Sequence, residues 1–191
     1  AFPVSTSPTT YTFFPAVAYN AVDNEFLVTW DDERGGDATW GQRVRGSDGA
    51  LLGSNFQISP GHGVRSAVAW NAASNVYLVA YWTIPSSEVR HRRVSHTGVL
   101  LDSEVNISND TAFSGYPAVA SDDAHQFLVT WDYDIDNIGS IRGQRIDAQT
   151  GVLLGSVILV TSTGREDRSC IAFDPSNSRW LVQFNQRNPG Q

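Results

Sequence analysis

The sequence contains no lysine, no methionine and a single cysteine, Cys170, among its 191 residues. One cysteine cannot form an internal disulfide, so the fold does not depend on such bridges. Charged residues make up only 17% of the chain against 41% apolar residues, a balance that excludes an intrinsically disordered protein. No apolar run reaches the roughly 18 residues of a membrane-spanning helix. The chain begins at Ala1 without an apolar signal segment, which favours a removed leader or an excerpt of a longer sequence.

Basic charge is also scarce, because 13 arginines face 20 acidic residues and the net charge is −7. Without a dense basic patch, the sequence predicts no nucleic-acid partner. The length suits one domain with a sizeable core and is short for two.

What the chain does contain is an internal repeat of 51 or 52 residues, built from four sequence blocks. The first block occurs four times, at Pro15–Ala18, Ser66–Ala69, Pro117–Ala120 and Ser169–Ala172. The second follows about ten residues later, at Phe26–Trp30, Tyr77–Tyr81, Phe127–Trp131 and Trp180–Phe184. The third occurs three times, at Gly41–Val44, His91–Val94 and Gly143–Ile146. The fourth begins at Gly49, Gly98 and Gly151, and continues into Phe56–Ser59, Val105–Ser108 and Ile158–Thr161.

Each block has the pattern of a β-strand. Large apolar side chains alternate at Phe26, Val28 and Trp30, and turn residues such as Ser47-Asp48-Gly49 separate the blocks. A tandem unit of four short antiparallel strands is typical of a propeller blade, because stacked sheets cover both faces of one another. We therefore predict an all-β fold, a small β-propeller of about four blades of four-stranded antiparallel sheets.

The predicted blades cover residues of about 8–59, 60–110, 111–162, and 163–191 together with 1–7, in a single domain over 1–191. Phe2 and Val4 align with Phe56 and Ile58 of the fourth block, so the N-terminal strand is predicted to close the last blade and remove an open edge. That blade lacks an obvious third strand. An excerpt of a larger propeller, an oligomer that completes its blades between chains, and a β-sandwich stay open as alternatives. Cys170 replaces a repeat alanine and is predicted to be buried.

The series Pro-Ala-Val-Ala, Phe-Leu-Val-Thr-Trp, Gly-Gln-Arg-Val and Gly-x-Leu-Leu-Gly resembles tandem repeats of large secreted and surface-anchored bacterial proteins. The resemblance covers nearly the whole chain and implies an extracellular or cell-surface location. It carries no catalytic motif. Fold analogy of this kind does not assign a function.

Residues that break the repeat are the candidates for binding. Trp40 and Trp82 stand where sister repeats carry charge, and an exposed indole is a platform for the apolar face of a sugar ring. The loop between the second and third strands is acidic. The predicted ligand-binding residues are Trp40, Trp82, Asp31, Asp32, Arg43 and Arg90. Arg43 recurs in sister repeats, which also favours a role in stabilising the blade.

Two further features concern metal and modification. Asp132, Asp134 and Asp136 have the alternating oxygen-ligand spacing that calcium favours, although Asn137 and Gly143 depart from an EF-hand loop. A solvated acidic loop is the alternative, and no other cofactor is predicted. Asn106 and Asn109 begin glycosylation sequons.

These features predict a non-enzymatic extracellular binding or adhesion module, lectin-like, with a carbohydrate or protein ligand and no membrane span. One alternative is a structural surface or filament subunit, a homo-oligomer completed by strand exchange between copies. The other is a glycoside hydrolase that uses the loop carboxylates.

Overall fold

The computed structural model describes residues 1–6, 11–34, 36–109, 112–136, 138–161 and 166–186. Fourteen β-strands form in this part of the chain. Their bounds are β1 Thr12–Asn20, β2 Glu25–Asp32, β3 Ala38–Arg45, β4 Leu51–Gln57, β5 Gly63–Asn71, β6 Val76–Thr83, β7 Glu88–Ser95, β8 Val105–Asn106, β9 Phe113–Ser121, β10 Gln126–Ile135, β11 Ile138–Asp147, β12 Leu153–Leu159, β13 Glu166–Asp174 and β14 Arg179–Gln186. Among these residues no helix is long and apolar enough to cross a membrane.

The strands form one sheet per repeat, each with its strands in chain order. Sheet 1 contains β1 to β4, sheet 2 contains β5 to β8, and sheet 3 contains β9 to β12, all antiparallel. Sheet 4 contains β13 and β14. The prediction of an all-β chain built from four-stranded antiparallel repeats is confirmed.

The core lies between successive sheets, because the second strand of each sheet is apolar on both faces. In the core between sheets 1 and 2, Leu27 packs with Tyr77, Val79 and Tyr81. In the core between sheets 2 and 3, the opposite face of the same strand repeats the arrangement with Leu78, Ala80, Phe127, Val129 and Trp131. Each sheet thus offers a leucine face to the next sheet and an aromatic face to the previous one.

The stack is open between sheet 4 and sheet 1. Strand β1 packs on β5, β5 on β9, and β9 on β13, but no comparable packing joins the described strands β13 and β1. Leu181 is 70% exposed, whereas Leu27 and Leu78 at equivalent positions are 0% exposed. Cys170 is exposed on sheet 4, so its predicted burial is wrong in this chain. The reason is that no described sheet covers this face.

Residues 1–6 are not paired with the last sheet as predicted. They contain no strand and lie against sheet 1, where Asn55 donates from Nδ2 to the Val4 carbonyl at 3.1 Å and accepts from the Thr6 N–H at 2.7 Å. Between sheets 1 and 2, Arg92 donates in a similar way to the Ile58 carbonyl at 2.7 Å. The segment therefore takes the position of an outer strand of a preceding sheet. It does not reach β14, because no described third strand lies between them.

Candidate functional site

One strained residue recurs in the first strand of every repeat. A bulge interrupts the pairing of each first strand with the second strand of its sheet. Phe14, Arg65, Tyr116 and Arg168 lie at these irregularities with φ of 49°, 53°, 51° and 55°. Non-glycine residues seldom adopt this left-handed conformation, and bulges commonly redirect side chains towards binding sites. The four side chains line one pocket of about 290 Å³, which places one residue of each repeat at a common centre.

A buried aspartate fixes this geometry at two of the three junctions. Asp31 accepts the backbone N–H of Arg65 with both carboxylate oxygens, at 2.8 and 2.9 Å. Asp132 accepts the backbone N–H of Arg168 at 2.8 Å. At the middle junction Trp82 takes the equivalent position and packs on Tyr116 with ring centroids 5.4 Å apart. The chemistry of the junctions therefore alternates between polar and aromatic.

Both aspartates have raised pKa values. Burial raises the pKa of Asp31 to about 6, the Arg65 N–H and charge oppose the shift, and the negative charge of Asp37 adds to it. Burial likewise raises the pKa of Asp132 to about 6, with opposition from the Arg168 N–H and support from the charge of Asp167. Strongly shifted carboxyls in a cleft are candidates for acid–base chemistry.

Asp31 lines a cleft. This cleft has a volume of about 240 Å³ and lies between sheets 1 and 2. Its apolar wall is formed by Phe13, Phe14, Val64, Trp82 and Ile84, and its polar groups are Asp31, Asp32, Glu33, Asp37 and Arg65. Phe14 and Arg65 also line the central pocket, so the two cavities adjoin. An apolar cleft with a few convergent polar groups is the usual form of a small-molecule site.

The structure brings together three of the six predicted ligand residues, Asp31, Asp32 and Trp82. Asp32 makes contacts that stabilise the fold. Its carboxylate accepts the Trp30 indole N–H at 3.0 Å and forms an ion pair with Arg34 at 2.6 Å. Trp82 is partly exposed and packs edge-on against Phe113.

The other three predicted ligand residues lie in structural contacts. Trp40 is covered by the Arg34 guanidinium, 4.1 Å from the ring centroid. Arg43 forms an ion pair with the buried Glu25 at 2.6 Å and donates to the Thr97 carbonyl of sheet 2. Arg90 is paired with Glu88 and Glu104. None of the three lines the central pocket or the cleft, and the binding role predicted for them stays a prediction.

The predicted calcium ligands do not form a metal site in the part of the chain that the structure describes. No group of three His, Cys, Asp or Glu side chains there is arranged to hold a metal ion. The Asp132 carboxylate is buried and bound to the Arg168 N–H, while Asp136 lies at the turn after β10. The spacing of Asp132, Asp134 and Asp136 therefore reflects the end of a strand rather than a ligand set.

The two sequons differ in accessibility. Asn106 is half-buried and donates from Nδ2 to Glu88 at 2.7 Å, so glycosylation would break this bond. Asn109 is exposed, but Thr111 of its sequon lies outside the described residues. Glycosylation stays a prediction for both.

The raised pKa of Asp132 has a consequence for stability. An aspartate in the unfolded chain titrates near 4. Between about pH 4 and pH 6 the native state keeps the Asp132 proton while the unfolded state loses it, so this group makes stability fall as pH rises. We expect Asp132→Asn, which keeps an acceptor for the Arg168 N–H, to gain stability relative to the parent between pH 4 and pH 7. Urea unfolding at unit pH steps measures this; a constant difference would contradict it.

Sequence reasoning missed the four bulge residues, Phe14, Arg65, Tyr116 and Arg168. The sequence signal that could have identified them is a residue type that alternates from one repeat to the next. The residues at this position alternate between aromatic and arginine, and the next position alternates between proline and serine. The contacts follow the same period, because Thr29 bonds Ser66 and Thr130 bonds Ser169, each at 2.9 Å.

Comparison with known proteins supports the fold. No protein-family model matches the chain, and no curated protein matches it. Among solved structures, an exo-β-1,3-galactanase from Phanerochaete chrysosporium, crystallised with β-1,3-galactotriose, is similar with a TM-score of 0.57 and 10% identity over 93% of this chain and 47% of that one. TolB from Acinetobacter baumannii (TM-score 0.47, 15% identity, 95% and 42%) and a GH43 endo-arabinanase from Bacillus licheniformis (0.38, 10%, 92% and 58%) match less well. The chain spans about half the length of these proteins.

The galactanase comparison supports the predicted β-propeller at the level of fold. It also corrects the functional prediction. The main interpretation was a non-enzymatic binding or adhesion module, whereas the protein with the similar fold is a glycoside hydrolase. The non-enzymatic interpretation is therefore not retained.

Proposed function

We propose that this chain is a glycoside-hydrolase module that cleaves its glycan in the cleft between sheets 1 and 2. The observation that carries the proposal is the position of Asp31, a buried carboxyl with a pKa raised to about 6 that lines an apolar-walled cleft. The galactanase of similar fold supports carbohydrate as the substrate class. A carboxyl that keeps its proton near neutral pH suits the general acid of glycoside cleavage.

The reaction needs a second carboxylate, and Asp37 supplies it in this proposal. Asp37 lines the same cleft, is exposed, and carries the negative charge that helps to raise the pKa of Asp31. Asp31 would give its proton to the glycosidic oxygen as the bond to the anomeric carbon breaks. Asp37 would take a proton from the attacking water, whose oxygen bonds to that carbon. Two carboxyls in different environments can thus serve as acid and base.

The first experiment is release of reducing ends from β-1,3-galactan, an arabinan and polygalacturonate, followed from pH 4 to pH 8. We expect cleavage of at least one of these glycans, with activity falling above the pKa of the acid. The absence of new reducing ends from all three polymers across this pH range would count against the proposal.

Trp82 is the sugar platform of the cleft in this proposal. Its indole forms part of the apolar wall, and stacking of an aromatic ring contributes on the order of 1 kcal/mol. We expect Trp82→Ala to raise KM about fivefold, since this energy corresponds to a factor of that size. Steady-state kinetics on the cleaved glycan measure the change.

Trp40→Ala is the matched control, because Trp40 lies on β3 under the Arg34 guanidinium, outside the cleft. Its KM should stay that of the parent. Melting curves of both variants separate lost packing from lost binding. Equal rises in KM for the two variants would refute the platform role.

The arrangement of the sheets as blades, the oligomeric state and the location of the chain belong to the same proposal. Sheets 1 to 4 would be four blades with the boundaries predicted from the sequence. Sheet 4 exposes its leucine face, and sheet 1 has an aromatic face. A leucine face already packs on an aromatic face between sheets 1 and 2 and between sheets 2 and 3. A second copy that joins the faces of sheets 4 and 1 in this way would make the chain a homo-oligomer. An extracellular location stays part of the proposal and rests on the sequence resemblance.

A further inference from the structure

The central pocket contains two arginines that form no ion pair with a carboxylate among the described residues. Five other arginines have carboxylate partners within 4 Å: Arg34, Arg43, Arg45, Arg90 and Arg93. Arg65 and Arg168 form no such ion pair with any residue that the structure describes. Asp31 and Asp132 bind the backbone N–H groups of these two arginines, which leaves the guanidinium groups for another partner.

The two guanidinium groups contact the same aromatic ring. The guanidinium carbons of Arg65 and Arg168 lie 4.9 and 3.9 Å from the centroid of the Tyr116 ring. Arg65 also lies 4.0 Å from the Phe14 ring centroid. Two like charges that line one pocket repel each other, and an anion bound in that pocket would reduce this repulsion. The planar guanidinium binds carboxylate, phosphate or sulfate oxygens through paired N–H groups.

We infer that the central pocket binds the anionic substituent of an acidic glycan, either the carboxylate of a uronic acid or a sulfate ester. This inference rests on the proposed function, because the pocket shares Phe14 and Arg65 with the cleft that contains Asp31. The arginines take the charged group, while the Phe14 and Tyr116 rings hold their guanidinium groups in the pocket. A substrate would thus extend from Trp82 in the cleft to Arg168 in the pocket.

The test is calorimetric titration of the parent protein at 150 mM salt with three probes. Tetragalacturonate carries carboxylates, a sulfated carrageenan tetrasaccharide carries sulfate esters, and β-1,3-galactotriose is neutral. We expect at least one acidic probe to bind at least tenfold more tightly than the neutral probe, and the better of the two identifies the substituent. Equal affinity for all three probes would overturn the inference.

Arginine variants test whether the acidic probe binds in the central pocket. Arg65→Gln and Arg168→Gln should each weaken the preferred acidic probe by about 10- to 100-fold, the range for a hydrogen bond to a charged group. Arg65→Lys keeps the charge without the paired N–H groups and should lie between parent and Arg65→Gln. The control is Arg45→Gln, because Arg45 is exposed and paired with Asp48 at the β3–β4 turn. An equal loss in the Arg45 variant would reduce the effect to general electrostatics and overturn the inference.

Measurements of binding and of cleavage distinguish the anion-site proposal from the hydrolase proposal. Arginine-dependent binding of an acidic probe without release of reducing ends would refute the hydrolase and leave the anion site standing. Cleavage of an acidic glycan that is insensitive to Arg65→Gln and Arg168→Gln would do the reverse. Melting curves and circular dichroism show whether each variant keeps the fold of the parent.

Discussion

Asp31→Asn is expected to lower kcat/KM for glycan cleavage by about 10²- to 10⁴-fold, the usual contribution of a general acid. Asparagine keeps the shape of the side chain and one oxygen for the Arg65 N–H, which the aspartate now bonds at 2.8 Å. It has no proton to give to a leaving oxygen. The loss should therefore fall mainly on kcat, and the descending limb of the pH profile that reports the acid should disappear.

Asp132→Asn is the matched control for this experiment. Asp132 has the same repeat position, the same bond to the next sheet and a pKa raised to about 6, but it lines no described cleft. A loss of activity that exceeds tenfold in the Asp132 variant, or less than tenfold in the Asp31 variant, would contradict the assignment. Both variants should melt within a few degrees of the parent, since each keeps its backbone contact.

Leu78→Ala is expected to lower the free energy of unfolding by about 2–5 kcal/mol, the usual range for a leucine deleted from a core. Leu78 is fully buried between sheets 2 and 3, where it packs in the core with Phe127 and Val129. Its removal leaves a cavity that rigid neighbouring sheets cannot close. Urea unfolding, followed by tryptophan fluorescence, measures the change.

Leu181→Ala provides the internal comparison, because Leu181 has the same repeat position and is 70% exposed. We expect a change below about 0.5 kcal/mol for a monomer, as for other surface substitutions. If a second copy covers this face, the change will be larger and will depend on protein concentration, and sedimentation will show a mass above the monomer. A monomer in which Leu181→Ala is as destabilising as Leu78→Ala would contradict the open arrangement of the sheets.

Much of the fold could be predicted from the sequence, because the repeat sets local structure. Alternation at Phe26, Val28 and Trp30 specifies a strand, and residues such as Ser47-Asp48-Gly49 specify the turn that follows. Both faces of these strands are apolar, which requires sheets stacked on each other. Residues 1–6 align with the fourth block, but they form no strand and contact sheet 1, since alignment does not reveal which neighbour they contact.

Only some residues of the candidate site could be predicted from the sequence. Trp40 and Trp82 break the repeat in similar ways, and sequence comparison gave them the same role. In the structure Arg34 covers Trp40, whereas Trp82 faces a cleft. The difference arises from the neighbouring loop, whose path the repeat does not encode. The ion pairs that Arg43 forms with Glu25 and Arg90 forms with Glu104 were not predicted, since these partners are distant in sequence.

The sequence by itself determined the element type, the size of the repeating unit and the two-sided core, because these follow from local hydrogen bonding and from side chains that alternate along one strand. Only the tertiary structure decided that Phe14, Arg65, Tyr116 and Arg168 meet at one pocket, that Asp31 is buried beside an apolar wall, and that Leu181 is uncovered. These facts depend on how one sheet is placed on the next. That placement brings together residues about 50 positions apart, and it sets the burial and charge on which their chemistry depends.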